Sequence, residues 1–356
     1  MKRIVICCDG TWNKPDQYQG GVLSPSNVTK VALWVAPVDA KGDKQRVFYD
    51  KGVGTGAFDR LRGGAFGFGI SKKILDSYRF LIANYDPGDE LFFFGFSRGA
   101  YTVRSTFGLI RNSGLLKREY TDKVDDAFRL YRRRDDASRP NQVEATLFRK
   151  SFSYEPRAKF VGVWDTVGAL GIPIDGPLRF LDKFLNKYLN KGWQFHDVKL
   201  SRSVDYAFQA LAIDEKRKPF QPAIWEQQAG SGAQLLEQIW FAGVHSNVGG
   251  GYPNAGLSDI AFEWIVNKAA ACGLALDLTQ LPSSLKPDPL GELRNSQTLF
   301  YKLFGGDYIR PIGNGTNSNE SAASTAQDRQ NDPPSNYRPQ NLREYLAGAG
   351  KVTPVP

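Results

Sequence analysis

Short apolar runs alternate with amphipathic stretches along this chain. Five runs are candidate strands: Lys2–Cys8, Gln45–Asp50, Asp89–Phe96, Lys159–Asp165 and Gln238–Val244. The run from Leu91 to Phe96 is almost wholly aromatic and has no polar break, as in a strand buried on both faces of a parallel sheet. Between the first two runs, Ser26-Asn27 can cap a helix reaching Val35. Between the second and third, Ser71 to Tyr85 repeats apolar residues at helical spacing. Strands separated by helices predict an α/β fold with one mostly parallel, doubly wound sheet and helices on both faces. The 356 residues are long enough for a single domain of this kind spanning 1–356, with insertions.

Three segments depart from the plain core. Residues from about 115 to 158 form a predicted helical insertion dense in arginine, including Arg132-Arg133-Arg134. A second insertion is expected at about 172–200. Within it, Pro177–Lys191 places apolar residues at 178, 181, 185 and 189 and cations at Arg179, Lys183, Lys187 and Lys191. That pattern is an amphipathic helix with a basic face, which suits either packing on the core or peripheral contact with an anionic membrane surface. The tract from about 314 to 336 has almost no large apolar residue and is expected to be a mobile loop, with a last short helix near Asn341–Leu346.

Lys and Arg number 46 against 37 Asp and Glu, a net charge of +9, so an anionic partner fits. Nucleic acid is not expected, because no recognised binding module accompanies the charge. No run is apolar for long enough to span a bilayer, and Met1–Cys8 stops at Asp9, too soon for a signal peptide. The expected location is therefore cytoplasmic as synthesised. Cys7, Cys8 and Cys272 read as reduced packing residues, and no spacing suits zinc. The glycine runs at Gly52–Gly56 and Gly63–Gly69 lack the Walker lysine and the dinucleotide spacing, so they read as loops near a site entrance.

The chemistry concentrates at strand ends. The third run leads into Gly95-Phe96-Ser97-Arg98-Gly99-Ala100, the Gly-x-Ser-x-Gly spacing of a nucleophile elbow, and a helix can follow from Ala100. A serine needs a base, and the chain has two histidines. His245 follows the fifth strand on a glycine-rich loop, where open α/β sheets place active sites; His196 reads as a capping or packing residue. For the orienting carboxylate, Asp165 ends the fourth strand, while Asp214 stands as the alternative acid at the end of what reads as a helix. The order Ser97, Asp165, His245 is that of α/β-hydrolases. The backbone N–H of Arg98, with one from Gly10 or Thr11 after the first strand, would form the oxyanion hole, and losing such a donor costs about 3 kcal/mol. This machinery needs no cofactor and no metal.

Taken together, Cys8-Asp9-Gly10-Thr11-Trp12-Asn13, Gly52-Val53-Gly54-Thr55, Gly95–Ala100, Trp164-Asp165-Thr166-Val167-Gly168, Ala212-Ile213-Asp214-Glu215 and Val244–Tyr252 resemble a bacterial and fungal α/β-hydrolase family. That family was long classed as uncharacterised and includes phospholipase effectors of the type VI secretion system. The resemblance runs from Arg3 to about Ser258 and resumes near Tyr337–Leu342. It implies that Ser97, Asp165 and His245 form a triad, that the substrate is a lipid ester, and that a secretion apparatus can deliver the protein. The chain departs from the family's pattern at Asn247, where an aspartate follows His-Ser; no carboxylate is left there for an ion site, and the triad is unaffected. The expected function is hydrolysis of carboxylic esters, as a lipase or phospholipase. The alternatives are a non-lipid esterase or thioesterase, or a catalytically silent binding module.

Overall fold

The computed structural model describes residues 1–11, 13–52, 65–133, 135–168, 199–277, 285–297 and 307–356, without the side chains of 65–68. Eight strands form one sheet: β1 (Arg3–Cys8), β2 (Gln45–Asp50), β3 (Glu90–Phe96), β4 (Ala158–Trp164), β5 (Val204–Ala212), β6 (Leu235–Phe241), β7 (Glu320–Ala323) and β8 (Val352–Thr353). Their order is β8-β7-β6-β5-β4-β3-β1-β2, and every neighbouring pair is parallel. The chain steps from β1 to β2 in one direction and places β3 on the other flank of β1. Sheets of this class bind ligands at the strands' carboxyl ends beside such a reversal.

The strands are apolar because both faces are covered. In β1, Val5 and Cys7 enter one core while Ile4, Ile6 and Cys8 enter the other. In β3, Phe92, Phe94 and Phe96 face the first core and Leu91 and Phe93 the second. The first core is closed by α1 (Asn27–Trp34) and by α7 (Gly256–Ala271), through Trp34, Phe262, Trp264 and Ile265. The second is closed by α2 (Ala65–Asn84) and α3 (Arg98–Ser113), through Ile74, Tyr78, Val103 and Phe107. The expected Ser26 cap forms, its side chain accepting from Thr29 N. Between β3 and β4 the chain adds α4 (Val124–Arg132) and α5 (Val143–Phe152). The basic segment Pro177–Lys191 and His196 lie outside the described residues.

Three expectations change. The tract 314–336 was expected as a mobile loop, but it contains β7 and α8 (Ser324–Asn331). Its small residues make this possible: Ala322 and Ala323 are fully buried, and β7 gains its ladder by pairing with β6 from Gln238↔Glu320 to Trp240↔Ala322. Pairing of this kind needs backbone, not bulky side chains. Strand β5 was not anticipated, and Ala212–Glu215 read as a helix end. The Ala210-Leu211-Ala212 end of the run has helical propensity, but burial between β4 and β6 overrides it. Finally, β6 ends at Phe241, and His245 opens a short helix, α6 (His245–Gly249), in place of a loop. The last helix, α9, spans Gln340–Ala347.

Candidate active site

Ser97 joins β3 to α3 with φ 58° and ψ −122°, a backbone conformation that a non-glycine residue adopts only under constraint. The constraint is visible on both sides. A Cβ on Gly95 would stand 2.5 Å from Ala100 Cα, and one on Gly99 would stand 2.0 Å from the Cys8 carbonyl oxygen. Strand and helix therefore approach at distances only glycine permits. Ser97 N donates to Trp164 O at 3.0 Å, tying the turn to the end of β4. Asp165, the next residue along β4, also has a positive φ, 40°. Two strained residues thus sit side by side at the carboxyl end of the sheet.

Asp165 is fully buried, and its Oδ2 meets His245 Nδ1 at 2.5 Å. The His245 ring is held between Phe96, with centroids 4.6 Å apart, and Phe220, met edge-on at 4.9 Å. Phe96 is the residue before Ser97, so one aromatic ring separates the serine's strand from the imidazole. The structure therefore brings Ser97, Asp165 and His245 to one edge of the sheet and joins the last two directly; no hydrogen bond links Ser97 Oγ to His245. Asp214 is engaged elsewhere. Its Oδ2 accepts from Gly243 N at 2.7 Å and from Tyr337 Oη at 2.8 Å, which braces the turn after β6. It follows a strand, not a helix, and does not meet His245.

Around this edge lie groups that sequence reasoning did not single out. Arg310 is fully buried; its Nη1 donates to Asp165 Oδ1 at 2.6 Å and its Nη2 to Asp165 Oδ2 at 3.1 Å. No local signal announces it: it is a lone arginine between Ile309 and Pro311-Ile312, outside every motif. Glu215, also fully buried, accepts from the His245 backbone N at 3.3 Å and from Arg217 Nε and Nη2 at 2.8 Å each. Its presence in the Ala212–Glu215 motif was the available signal. Asp9 accepts from Ser26 Oγ, Thr29 Oγ1 and Tyr49 Oη through one oxygen, and from Gly10 N and Asn13 Nδ2 through the other. Five donors without a cation make it an anchor for the loop after β1. This also corrects one expected oxyanion donor: Gly10 N–H is given to Asp9 at 2.6 Å. Thr11 Oγ1 is buried without a hydrogen-bond partner among the described residues. Asn247 is structural, donating to Glu292 O at 3.0 Å and accepting from Val244 N and Arg294 N.

Charge follows from this geometry. Burial alone would push the Asp165 carboxyl up, but the Arg310 guanidinium and the His245 ring outweigh it and hold the group well below the ordinary carboxylate range. Asp165 is therefore an ionised acceptor, so Nδ1 of a neutral His245 carries the proton and Nε2 is the basic nitrogen. Burial lowers the imidazole below its ordinary value, with Asp165 and Glu215 opposing and Arg217 assisting.

Comparison with known proteins now decides the family. The description "T6SS, Phospholipase effector Tle1-like, catalytic domain" matches residues 2–268. The chain belongs to this family. It is 27% identical over 241 residues to the uncharacterized protein YEL023C of Saccharomyces cerevisiae, covering 62% of this chain and 32% of that protein. The chain thus spans about a third of that relative's length. An uncharacterized protein from Pseudomonas aeruginosa, solved as a crystal structure, aligns with TM-score 0.42 at 16% identity over 77% of this chain and 46% of its own. The Tle1 effector bound to the VgrG spike of the type 6 secretion system aligns with TM-score 0.39 at 19% identity, over 71% and 52%. Among the described residues, no helix of this Tle1-like chain is long and apolar enough to cross a membrane.

Proposed function

We propose that this chain is a serine hydrolase of carboxylic esters whose substrates are phospholipids. The observation that carries the reading is the 2.5 Å contact between Asp165 Oδ2 and His245 Nδ1 beside the strained turn at Ser97. Family membership supports the phospholipid substrate and delivery by a type VI secretion apparatus. His245 Nε2 takes the proton from Ser97 Oγ as the oxygen attacks the acyl carbon. Asp165 fixes the tautomer and stabilises the imidazolium, which then returns its proton to the leaving alcohol. Backbone N–H groups of Arg98, at the start of α3, and of Thr11 stabilise the oxyanion; first-turn N–H groups project beyond a helix's N-terminus.

The test is reaction with a fluorophosphonate probe, followed by incubation with phosphatidylglycerol and phosphatidylethanolamine vesicles and with short-chain esters, the products read by mass spectrometry. Wild type is expected to label and to release fatty acid from vesicles, and Ser97→Ala to do neither. Undiminished labelling of Ser97→Ala would remove the nucleophile. Labelling with hydrolysis of soluble esters alone would make the chain a non-lipid esterase or thioesterase. A wild type inert to probe and substrates would be a silent binding module.

A further inference from the structure

We infer that Arg310 is a positioning residue for the candidate triad: its guanidinium fork sets the Asp165 carboxylate in the orientation that meets His245 Nδ1. The inference rests on the hydrolase reading above. It also places a residue from beyond the matched region 2–268 in the catalytic arrangement.

The geometry is that of a clamp. Asp165 Oδ1 accepts from Arg310 Nη1 at 2.6 Å and from Ala212 N at 3.0 Å; Oδ2 accepts from Arg310 Nη2 at 3.1 Å and faces His245 Nδ1 at 2.5 Å. With two donors on each oxygen, rotation of the carboxylate about its Cβ–Cγ bond would break several contacts at once. Arg310 is itself fixed. Nη1 also donates to Ala212 O at 2.9 Å and Nη2 to Phe220 O at 2.5 Å. Asn341 Nδ2, on α9, donates to Arg310 O at 3.0 Å and to Ile213 O at 3.1 Å. Arg310 and Asp165 are both fully buried, so the fork also supplies the charge that an isolated buried carboxylate would lack.

A second consequence concerns the base. The charged groups around His245 are Asp165 at the end of β4, Glu215 and Arg217 after β5, and Arg310 behind Asp165. By neutralising part of the Asp165 charge, Arg310 opposes protonation of His245. Hydrolysis needs the neutral ring, so wild-type kcat/KM should rise with pH through a midpoint below 6.5, the ordinary imidazole value. Removing the arginine's charge leaves Asp165 free to favour imidazolium, which moves that midpoint up.

The experiment compares Arg310→Gln and Arg310→Lys in the 356-residue chain with wild type in kinetics on a p-nitrophenyl ester, thermal melts and NMR titration of 15N-histidine-labelled protein. The chain has only two histidines, and His196→Gln assigns the second signal. Arg310→Gln is expected to lose roughly 100-fold in kcat, the scale of a misplaced catalytic group, with KM within about threefold. Its His245 midpoint should move to higher pH by about one pH unit. Arg310→Lys should keep the wild-type midpoint but lose about tenfold in kcat, because one ammonium cannot span both carboxylate oxygens. A folded Arg310→Gln with wild-type kcat, or with activity lost only in proportion to unfolded protein and an unmoved midpoint, overturns the inference. If Arg310→Gln does not fold, wild-type kcat in Arg310→Lys overturns it. In either case Ser97-dependent labelling leaves the hydrolase reading standing. Undiminished turnover by Ser97→Ala overturns that reading and this inference with it.

Discussion

Two aspartates follow neighbouring strands, fully buried Asp165 after β4 and half-buried Asp214 after β5, and the partners of each decide what it can do. Asp165 offers one oxygen to the imidazole; Asp214 spends its Oδ2 on Gly243 N and Tyr337 Oη. Asp165→Asn presents an amide that favours the wrong imidazole tautomer and is expected to lower kcat on a soluble p-nitrophenyl ester by about 10⁴-fold. Asp214→Asn retains one carbonyl acceptor for the turn, so kcat should stay within about tenfold. Its stability should change by no more than about 2 kcal/mol, the scale of one buried hydrogen bond. Parallel kinetics and thermal melts separate the two, and the reverse pattern would make Asp165 the structural aspartate.

At the scale of elements, the site depends on how closely α3 can approach the ends of β1 and β3. Gly99 lies where a Cβ would stand 2.0 Å from Cys8 O and 2.4 Å from Asp9 O. Both atoms are backbone of β1 and its loop, and that loop is anchored by the five donors to Asp9, so neither can yield cheaply. Gly99→Ala should therefore displace α3 and the Ser97 turn together and cost about 3 kcal/mol or more, as other enforced core clashes do. Gly348 is the control. It has a negative φ of −81°, and its Cβ would meet nothing nearer than 3.5 Å. Gly348→Ala is expected to be neutral or stabilising by up to about 1 kcal/mol, through a less free unfolded chain. Chemical denaturation of both variants checks the contrast; equal effects would mean that the close approach is not what holds the elbow.

For the whole molecule, the question is how much of the fold lies beyond the matched region. The last fifty residues add β7 and β8 to the sheet, cover the fully buried Trp240 of β6, and carry Arg310, Tyr337 and Asn341 to the site edge. A chain ended at Asp277 would leave β6 as an exposed, hydrophobic edge strand, which templates aggregation. It would also leave the Asp165 charge buried without its cation. Such a truncated chain is expected to show no cooperative melt and no fluorophosphonate labelling. A soluble truncation that labels at the wild-type rate would show that the C-terminal segment is dispensable.

The sheet's central strands were legible from the sequence because burial on both faces demands apolar runs at β1, β3, β4 and β6, and the helices between them follow from amphipathic spacing. That Ser97, Asp165 and His245 would meet at one place was legible for a related reason: each lies at or just beyond the end of such a run, and parallel strands deliver their ends to one edge. Tertiary structure alone decided the rest. Strand β5 mixes Val204, Tyr206 and Phe208 with three alanines and strand β7 has no residue of strong strand preference, so pairing with already-placed neighbours selects their conformation. Asp214 was separated from Asp165 only when Gly243 and Tyr337 arrived from distant parts of the chain. Arg310 stands 145 positions after Asp165, and no local pattern reveals a contact that exists only because folding removes both charges from water and leaves each as the other's partner.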